Sequence, residues 1–430
     1  MRRPSVGSLM QNAVALIISG GGSAVVGVVF WGVAAHVGST AAVGRTTAEI
    51  AAMTLLASLA QLSFGSSFER FLPIAGERTR SFVTRAYATC VSLALIIAIA
   101  YVSMGLGERF ISPSFVWRAL FVVAVVLWTI FALQDSVLVG LRATRWVPVE
   151  NILYGLVKLA ILPTFIMLSA REGIFIAWMT PVVVMVILVN WYLFVKRIPE
   201  HESLNPPSES LPSMRELVVL TGAQYASLLI GVLSSSVVIL IVIQRLGAVA
   251  NAYYYMPAQI SSGVGLFLVS IDRSFLVEAS SEPQNLRHHA RVTLRAGIVV
   301  LVPSVVIGVI FAPEMLRIFG ATYATHGTTL LRMLLLALPG SAITWFYASF
   351  AWIDRRVLWM VVRELVSTAV YFILIFTLIG HFGILAIGIA SLVSSGLQGI
   401  FFLPILIRRY RMTPDYHSPK NGEAMTDPDT

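Results

Sequence analysis

Apolar runs of about twenty residues follow one another along nearly the whole chain, and they constrain its fold more than any other feature. A helix needs about 20 mainly apolar residues to cross a hydrocarbon layer about 30 Å thick. Twelve runs meet that length: residues 10–35, 46–66, 84–106, 116–139, 148–168, 173–195, 216–243, 250–271, 292–312, 327–352, 357–379 and 383–407. The runs are continuous rather than alternating, which excludes the strands of a membrane barrel. Charged residues make up only 12% of the chain and hydrophobic ones 57%, with a mean hydropathy of +0.84. A soluble domain carries about 25% charge, so lipid must solvate much of this surface. The sequence predicts an all-α integral membrane protein of twelve transmembrane helices.

The distribution of charge tests that count. With the N-terminus in the cytoplasm, the outer segments hold only Arg45, Arg109, Arg118, Arg171, Arg245 and Arg317 of the 30 Lys and Arg. Lys158 and Arg332 fall inside spans, and all the others fall in cytoplasmic segments. This asymmetry is the positive-inside pattern for twelve spans with both ends inside. It also explains the formal net charge of +9 without a nucleic-acid partner. The run from 10 to 35 follows Arg2 and Arg3 and is too long for the core of a cleavable signal, so it reads as an uncleaved first span. Cys90 is the single cysteine, which excludes a disulfide framework and a thiolate metal site. The histidines show no metal-ligand spacing, and no cofactor is expected. No phosphate-binding GxxxxGK[ST] motif occurs, so the chain has no built-in ATPase.

The organisation is twofold. A polar, proline-containing connection, residues 197–215, falls at the midpoint between six spans on either side. It separates an N-terminal lobe, 1–196, from a C-terminal lobe, 216–410, followed by a polar tail, 411–430, expected to be disordered. The halves also match in sequence. LRATRWVPVENILYGLVKLAIL (141–162) aligns with DRRVLWMVVRELVSTAVYFILI (354–375), placing Arg355 over Arg142 and Trp359 over Trp146. FERFLP (68–73) aligns with IDRSFL (271–276), placing Asp272-Arg273 over Glu69-Arg70. An even number of spans per half gives both the same orientation, so the expectation is two parallel six-helix bundles around a central cleft.

Three stretches carry a family resemblance: APEMLRIFGATYATHGTTLLRMLLLALP (312–339), SFERFLP (67–73) and LQDSVLVGLRATRWVPVEN (133–151). They resemble the multidrug/oligosaccharidyl-lipid/polysaccharide exporter superfamily, and the last of them its polysaccharide, O-antigen-type branch. The resemblance covers roughly 8–410. It implies a flippase in the bacterial plasma membrane that moves an oligosaccharide on polyprenyl pyrophosphate outward by alternating access. Its partners would be that lipid-linked substrate, membrane lipids and other polysaccharide assembly proteins.

The candidate site residues are the charges and amides that apolar spans ought to lack. A charge at the bilayer centre costs at least about 2.5–3.5 kcal/mol. Lys158 lies eight residues beyond Glu150, roughly 12 Å along a helix. It either faces the cleft to meet a pyrophosphate or sugar acid, or snorkels to the inner interface. Arg332 and Gln224 are further cleft candidates. Asp135 could pair with Arg142, couple to protons or satisfy a neighbouring helix. Glu69, Arg70, Asp272 and Arg273 mark repeat-related inner ends of spans two and eight, as interfacial salt bridges or a cytoplasmic gate. Two deep cations and one deep Asp favour an anionic substrate over the alternative, a cation-coupled multidrug exporter of the same fold. A membrane glycan polymerase or glycosyltransferase would need paired acids or an outer domain, and the outer loops are short with single, separated carboxylates. The chain is therefore expected not to be an enzyme.

Overall fold

The computed structural model describes residues 26–204, 214–281, 285–354 and 357–412. The expected start of the first span, the middle of the linker and the tail lie outside them. Among the described residues the chain is helical throughout, in the order α1 (Val26–Val37), α2 (Thr40–Ala60), α3 (Phe64–Phe71), α4 (Thr79–Ser103), α5 (Phe115–Gly140), α6 (Trp146–Leu168) and α7 (Gly173–Tyr192). A π turn over Leu193–Arg197 carries α7 into α8 (Ile198–Leu204). The second half runs α9 (Met214–Leu246), α10 (Ala248–Ser281), α11 (Leu286–Ile310), α12 (Ala312–Arg317), α13 (Ala321–Ile353), α14 (Val357–Phe382) and α15 (Leu385–Met412).

Among the described residues nine helices are long and apolar enough to cross a membrane, and ten with α2 and the segment after it counted as one bent span. Two expected spans do not pass as single apolar helices. The described part of the first is short. The other, α10, is 34 residues long but carries Asn251, Gln259 and three successive tyrosines in its first half. Its polarity follows from its place, because α10 packs against α2 and α13 at the centre of the molecule rather than against lipid.

The second span is also not the continuous helix the sequence suggested. It bends by 54° between Thr40–Ala60 and Phe64–Ile74. Leu62 takes a left-handed backbone there, with φ 50, which costs a β-carbon-bearing residue roughly 1–2 kcal/mol. The break frees the Gln61 carbonyl, which accepts from the Phe64 N–H and from Cys90 Sγ at 3.6 Å.

Apolar packing divides the molecule unevenly along its length. At the arginine-poor end one core is shared by both halves. It joins Phe30, Trp31, Met53, Phe110, Phe121 and Ile174 to Ile243, Tyr255, Leu316, Tyr323 and Leu335. At the arginine-rich end each half keeps its own core. Phe64, Phe68, Leu72, Leu141 and Ile198 form the first, and Phe275, Leu286, Phe346, Phe350 and Leu406 the second. The halves thus share a core at one end, while at the other each keeps its own core and α3 still touches α9.

The internal repeat is visible in hydrogen bonding. Ser136 on α5 donates to Glu69 Oε1 at 3.4 Å, and Ser349 on α13 donates to Asp272 Oδ2 at 2.8 Å. The spacing that sets Arg355 over Arg142 also sets Ser349 over Ser136, and Asp272 stands over Glu69.

Candidate functional site

Lys158 is held near the middle of the spanning helix α6. Its side chain is 6% exposed. It does not reach for solvent at a helix end. The Nζ atom sits 3.7 Å from the ring centroid of Trp178, 4.5 Å from that of Tyr154 and 5.1 Å from that of Phe30. These rings come from α7, α6 and α1. Trp128, Trp31 and Tyr255 extend the aromatic cluster, the last from the opposite half of the molecule. Ring faces carry negative potential and attract a cation, by about 2 kcal/mol or more when water is excluded. Among the described residues no carboxylate pairs with Lys158. Its charge is cradled by rings but not cancelled.

Lys158 and Tyr154 of the cradle line a cavity of about 440 Å³ between α1, α5 and α6, with Val26, Val139, Asn151 and Gly155. Thr144 and Pro148 line it too, so it extends from the loop after α5 inward to Lys158. Gly155 lets α1 approach: a β-carbon there would lie 3.0 Å from Val26 Cγ1.

Beside the cavity lies a buried polar network that the sequence reading missed. Gln134 on α5 donates to Glu150 Oε1 on α6, and Asn190 on α7 donates to Gln134 Oε1 at 2.8 Å. Asn151, which lines the cavity, donates to Asp135 Oδ2 at 3.4 Å. Of the roles open to Asp135 in the sequence, the bond to Asn151 on the neighbouring helix is the one formed, and among the described residues it makes no ion pair with Arg142, whose backbone is left-handed, φ 56, just after α5. Glu150 Oε2 and Asp135 Oδ1 are buried without a partner. Glu150 and Gln134 were legible only as a carboxylate and an amide at the edges of apolar runs, and helical spacing alone does not bring α5, α6 and α7 together. A third buried carboxylate, Glu49 on α2, lies in the field of Arg45 and Arg171. Glu49 and Glu150 are thus buried acids in addition to the one deep acid expected, Asp135, which is half-buried. Glu150→Ala is expected to lower detergent-solubilised stability by about 1–3 kcal/mol, because it strands the Gln134 amide. Glu150→Gln should retain most of that stability, and thermal unfolding of the purified variants measures the difference.

The other candidates are dispersed. Arg332 lies on the exposed face of α13 and donates from Nε to the Val309 carbonyl at 3.0 Å, away from the Lys158 cavity. The side chain of Gln224 lies outside the described residues. Glu69, Arg70 and Arg273 are exposed, and among the described residues neither Glu69 nor Asp272 forms a salt bridge, although Asp272 lies in the field of Arg273. They bond instead to Ser136 and Ser349, while Arg70 stands over the Phe71 ring at 5.4 Å.

At the opposite end the two halves close on each other. A β-carbon on Gly44 would lie 1.7 Å from the Ala248 carbonyl oxygen, so α2 and α10 touch backbone to backbone. Asn251, fully buried, donates to the Gly44 carbonyl at 2.8 Å and to Thr47 Oγ1 at 3.0 Å. The Trp31 and Tyr255 rings meet at 5.0 Å across the same seam. Further along α2, the Tyr225 hydroxyl donates to the carbonyls of Ser58 and Leu59 at 3.2 and 3.0 Å.

No protein-family model matches the sequence, and no curated protein matches it either. Solved structures do. An inward-facing multidrug resistance MATE family transporter of the MOP superfamily superposes with a TM-score of 0.64 at 15% identity, covering 91% of this chain and 96% of that one. The lipid II flippase MurJ, in an inward closed conformation, gives a TM-score of 0.71 at 13% identity over 94% and 89% of the two chains. The fold is that of the MOP-superfamily transporters. The MATE multidrug transporter DinF-BH is similar at a TM-score of 0.61 and 13% identity, over 94% and 96%. These likenesses bear out the two-bundle, all-α fold that the sequence resemblance implied. The chain is a multi-pass membrane protein.

Proposed function

We propose that this protein is a flippase for a polyprenyl-pyrophosphate-linked oligosaccharide in a bacterial plasma membrane, working by alternating access between lobes 1–196 and 216–410. The observation that carries the reading is Lys158: a cation buried at a cavity wall, with no acid to neutralise it. An anionic pyrophosphate entering from the arginine-rich end would meet that field. The residues of the aromatic cradle fix the ammonium in place, which limits the entropy lost when an anion binds. With the arginine-rich loops assigned to the cytoplasm, the halves keep separate apolar cores on the cytoplasmic side and share one on the outer side. That arrangement admits substrate from the inner leaflet. Export of a negative charge then gains about 2.3 kcal/mol per charge per 100 mV of membrane potential. The reading involves no bond-breaking step.

A second reading has its own support. Buried Asp135, Glu150 and Glu49 are the kind of groups a cation-coupled multidrug exporter needs, and proteins of that function share the fold. Deleting the gene and profiling polyprenyl-linked glycans by mass spectrometry separates the two. Accumulation of one complete lipid-linked repeat with loss of a surface polymer is the expected result, and Lys158→Ala at normal protein level should fail to restore the polymer. Unchanged lipid-linked pools with new sensitivity to cationic drugs would overturn the flippase reading in favour of the second.

A further inference from the structure

We propose that the second lobe contains a neutral sugar-binding pocket, formed by Ser261, Tyr371, Ser391, Ser394, Ser395 and Gln398, that is the repeat-related counterpart of the Lys158 site. The inference rests on the flippase reading and deepens it by assigning the sugar moiety of the substrate to one lobe and its charged group to the other.

Position is the first ground. The alignment that sets Arg355 over Arg142 sets Tyr371 over Lys158, and the same spacing sets Ser391 over Trp178. In the first lobe Lys158 meets the Trp178 ring. In the second, Tyr371 and Ser391 line one cavity together. The two positions thus stay on packed successive helices, α6 with α7 and α14 with α15, while their residue types have changed from cation and ring to two hydroxyls. Each copy lines a cavity, and the second has a volume of about 240 Å³ between α10, α13, α14 and α15.

Unused hydrogen-bonding capacity is the second ground. A serine inside a helix ordinarily returns its proton to a carbonyl three or four residues back. Ser341 does so to Ala337 at 3.3 Å, and Ser234 to Ile230 at 2.7 Å. Ser261 and Ser395 do not. They are 8% and 7% exposed, both line the cavity, and among the described residues neither hydroxyl has a partner. Buried polar groups in a membrane are satisfied by something, and here the open direction is the cavity.

The lining selects the ligand class. It contains no charged residue, so it offers nothing to a pyrophosphate or a metal ion. Serine and tyrosine hydroxyls and the Gln398 amide both donate and accept, which is the pattern a sugar's hydroxyl groups require. Leu334 and Leu338 supply an apolar wall for the C–H face of a ring. The volume corresponds to about eight waters at roughly 30 Å³ each, the scale of one monosaccharide.

The test uses the full-length protein in lipid nanodiscs and two probes: polyprenyl pyrophosphate, and the same lipid carrying one neutral hexose. Wild type should bind the hexose-bearing probe about tenfold more tightly, the worth of one or two well-made hydrogen bonds. Ser261→Ala/Ser395→Ala should lose that advantage while binding the sugar-free probe unchanged, and Lys158→Ala should weaken both probes alike. If the double variant does not fold, each single variant is read in the same way. An advantage that survives the serine substitutions, or equal binding of the two probes by wild type, overturns the sugar pocket and leaves the flippase reading standing. If wild type binds neither probe, the flippase reading fails and the pocket assignment falls with it.

Discussion

Gly44→Ala should abolish transport by preventing the two lobes from closing at the arginine-poor end. The added methyl carbon would fall 1.7 Å from the Ala248 carbonyl oxygen, far inside contact distance. The obstacle is backbone, so no side chain can swing away to make room. Overpacking a well-packed site costs about 1–3 kcal/mol and more where the surroundings cannot yield. Separation of α2 from α10 would also weaken the Asn251 bonds to Gly44 and Thr47, and an unmade buried bond costs about 1–3 kcal/mol. Inverting a two-state population from 99:1 to 1:99 takes about 5.5 kcal/mol. The combined effect approaches that figure, so the variant should populate the state open at this end. Spin labels at Arg109→Cys and Arg317→Cys, both exposed and one on each lobe, would report it once the buried Cys90 is replaced by alanine. A longer inter-label distance in Gly44→Ala than in its parent is expected. An unchanged distance with normal transport would show that this seam does not open in the working cycle.

The periodicity of the sequence reveals helices well and their partners poorly. Runs near 84–106, 116–139 and 148–168 became α4, α5 and α6 with small boundary changes, because lipid forces every backbone group to bond within its own helix. The break in α2 escaped notice, since Gln61, Leu62 and Ser63 hold no glycine or proline to announce it. The hydropathy of α10 is low for the opposite reason, as its neighbours are protein rather than lipid. Asp135 was visible as a deep acid, yet its partner Asn151 sits on the next helix, where only the α5–α6 crossing could place it. Lys158 stood out as a lone cation, whereas its three rings come from three helices and looked like ordinary packing. Trp345 packs against Gly265, its ring 3.5 Å from where a β-carbon would stand. Tyr347 stacks on Phe402 with centroids 4.5 Å apart. The repeat was the one long-range relation readable in advance, and Ser136–Glu69 with Ser349–Asp272 is its physical imprint.

Lys158→Ala should not only stop flipping but also convert the cradle into a receptor for organic cations. With the ammonium removed, Phe30, Tyr154 and Trp178 would surround an empty, ring-walled space of ammonium size, the arrangement that recognises quaternary ammonium groups. The wild-type chain fills this space with its own charge, which would exclude a cationic drug both by volume and by repulsion. Loss of an uncompensated cation should weaken pyrophosphate binding by a charge-assisted contact, about 1.5–3 kcal/mol or roughly 10- to 100-fold. Tetramethylammonium should bind the variant and quench tryptophan fluorescence, with little effect on wild type. Lys158→Arg tests the geometry separately. It keeps the charge, but a planar guanidinium is broader than an ammonium and should fit the three-ring cradle poorly, giving partial activity. Equal quenching of wild type and Lys158→Ala would mean that the rings are already open to cations. The buried carboxylates Asp135 and Glu150 would then be the better guide to what this transporter carries.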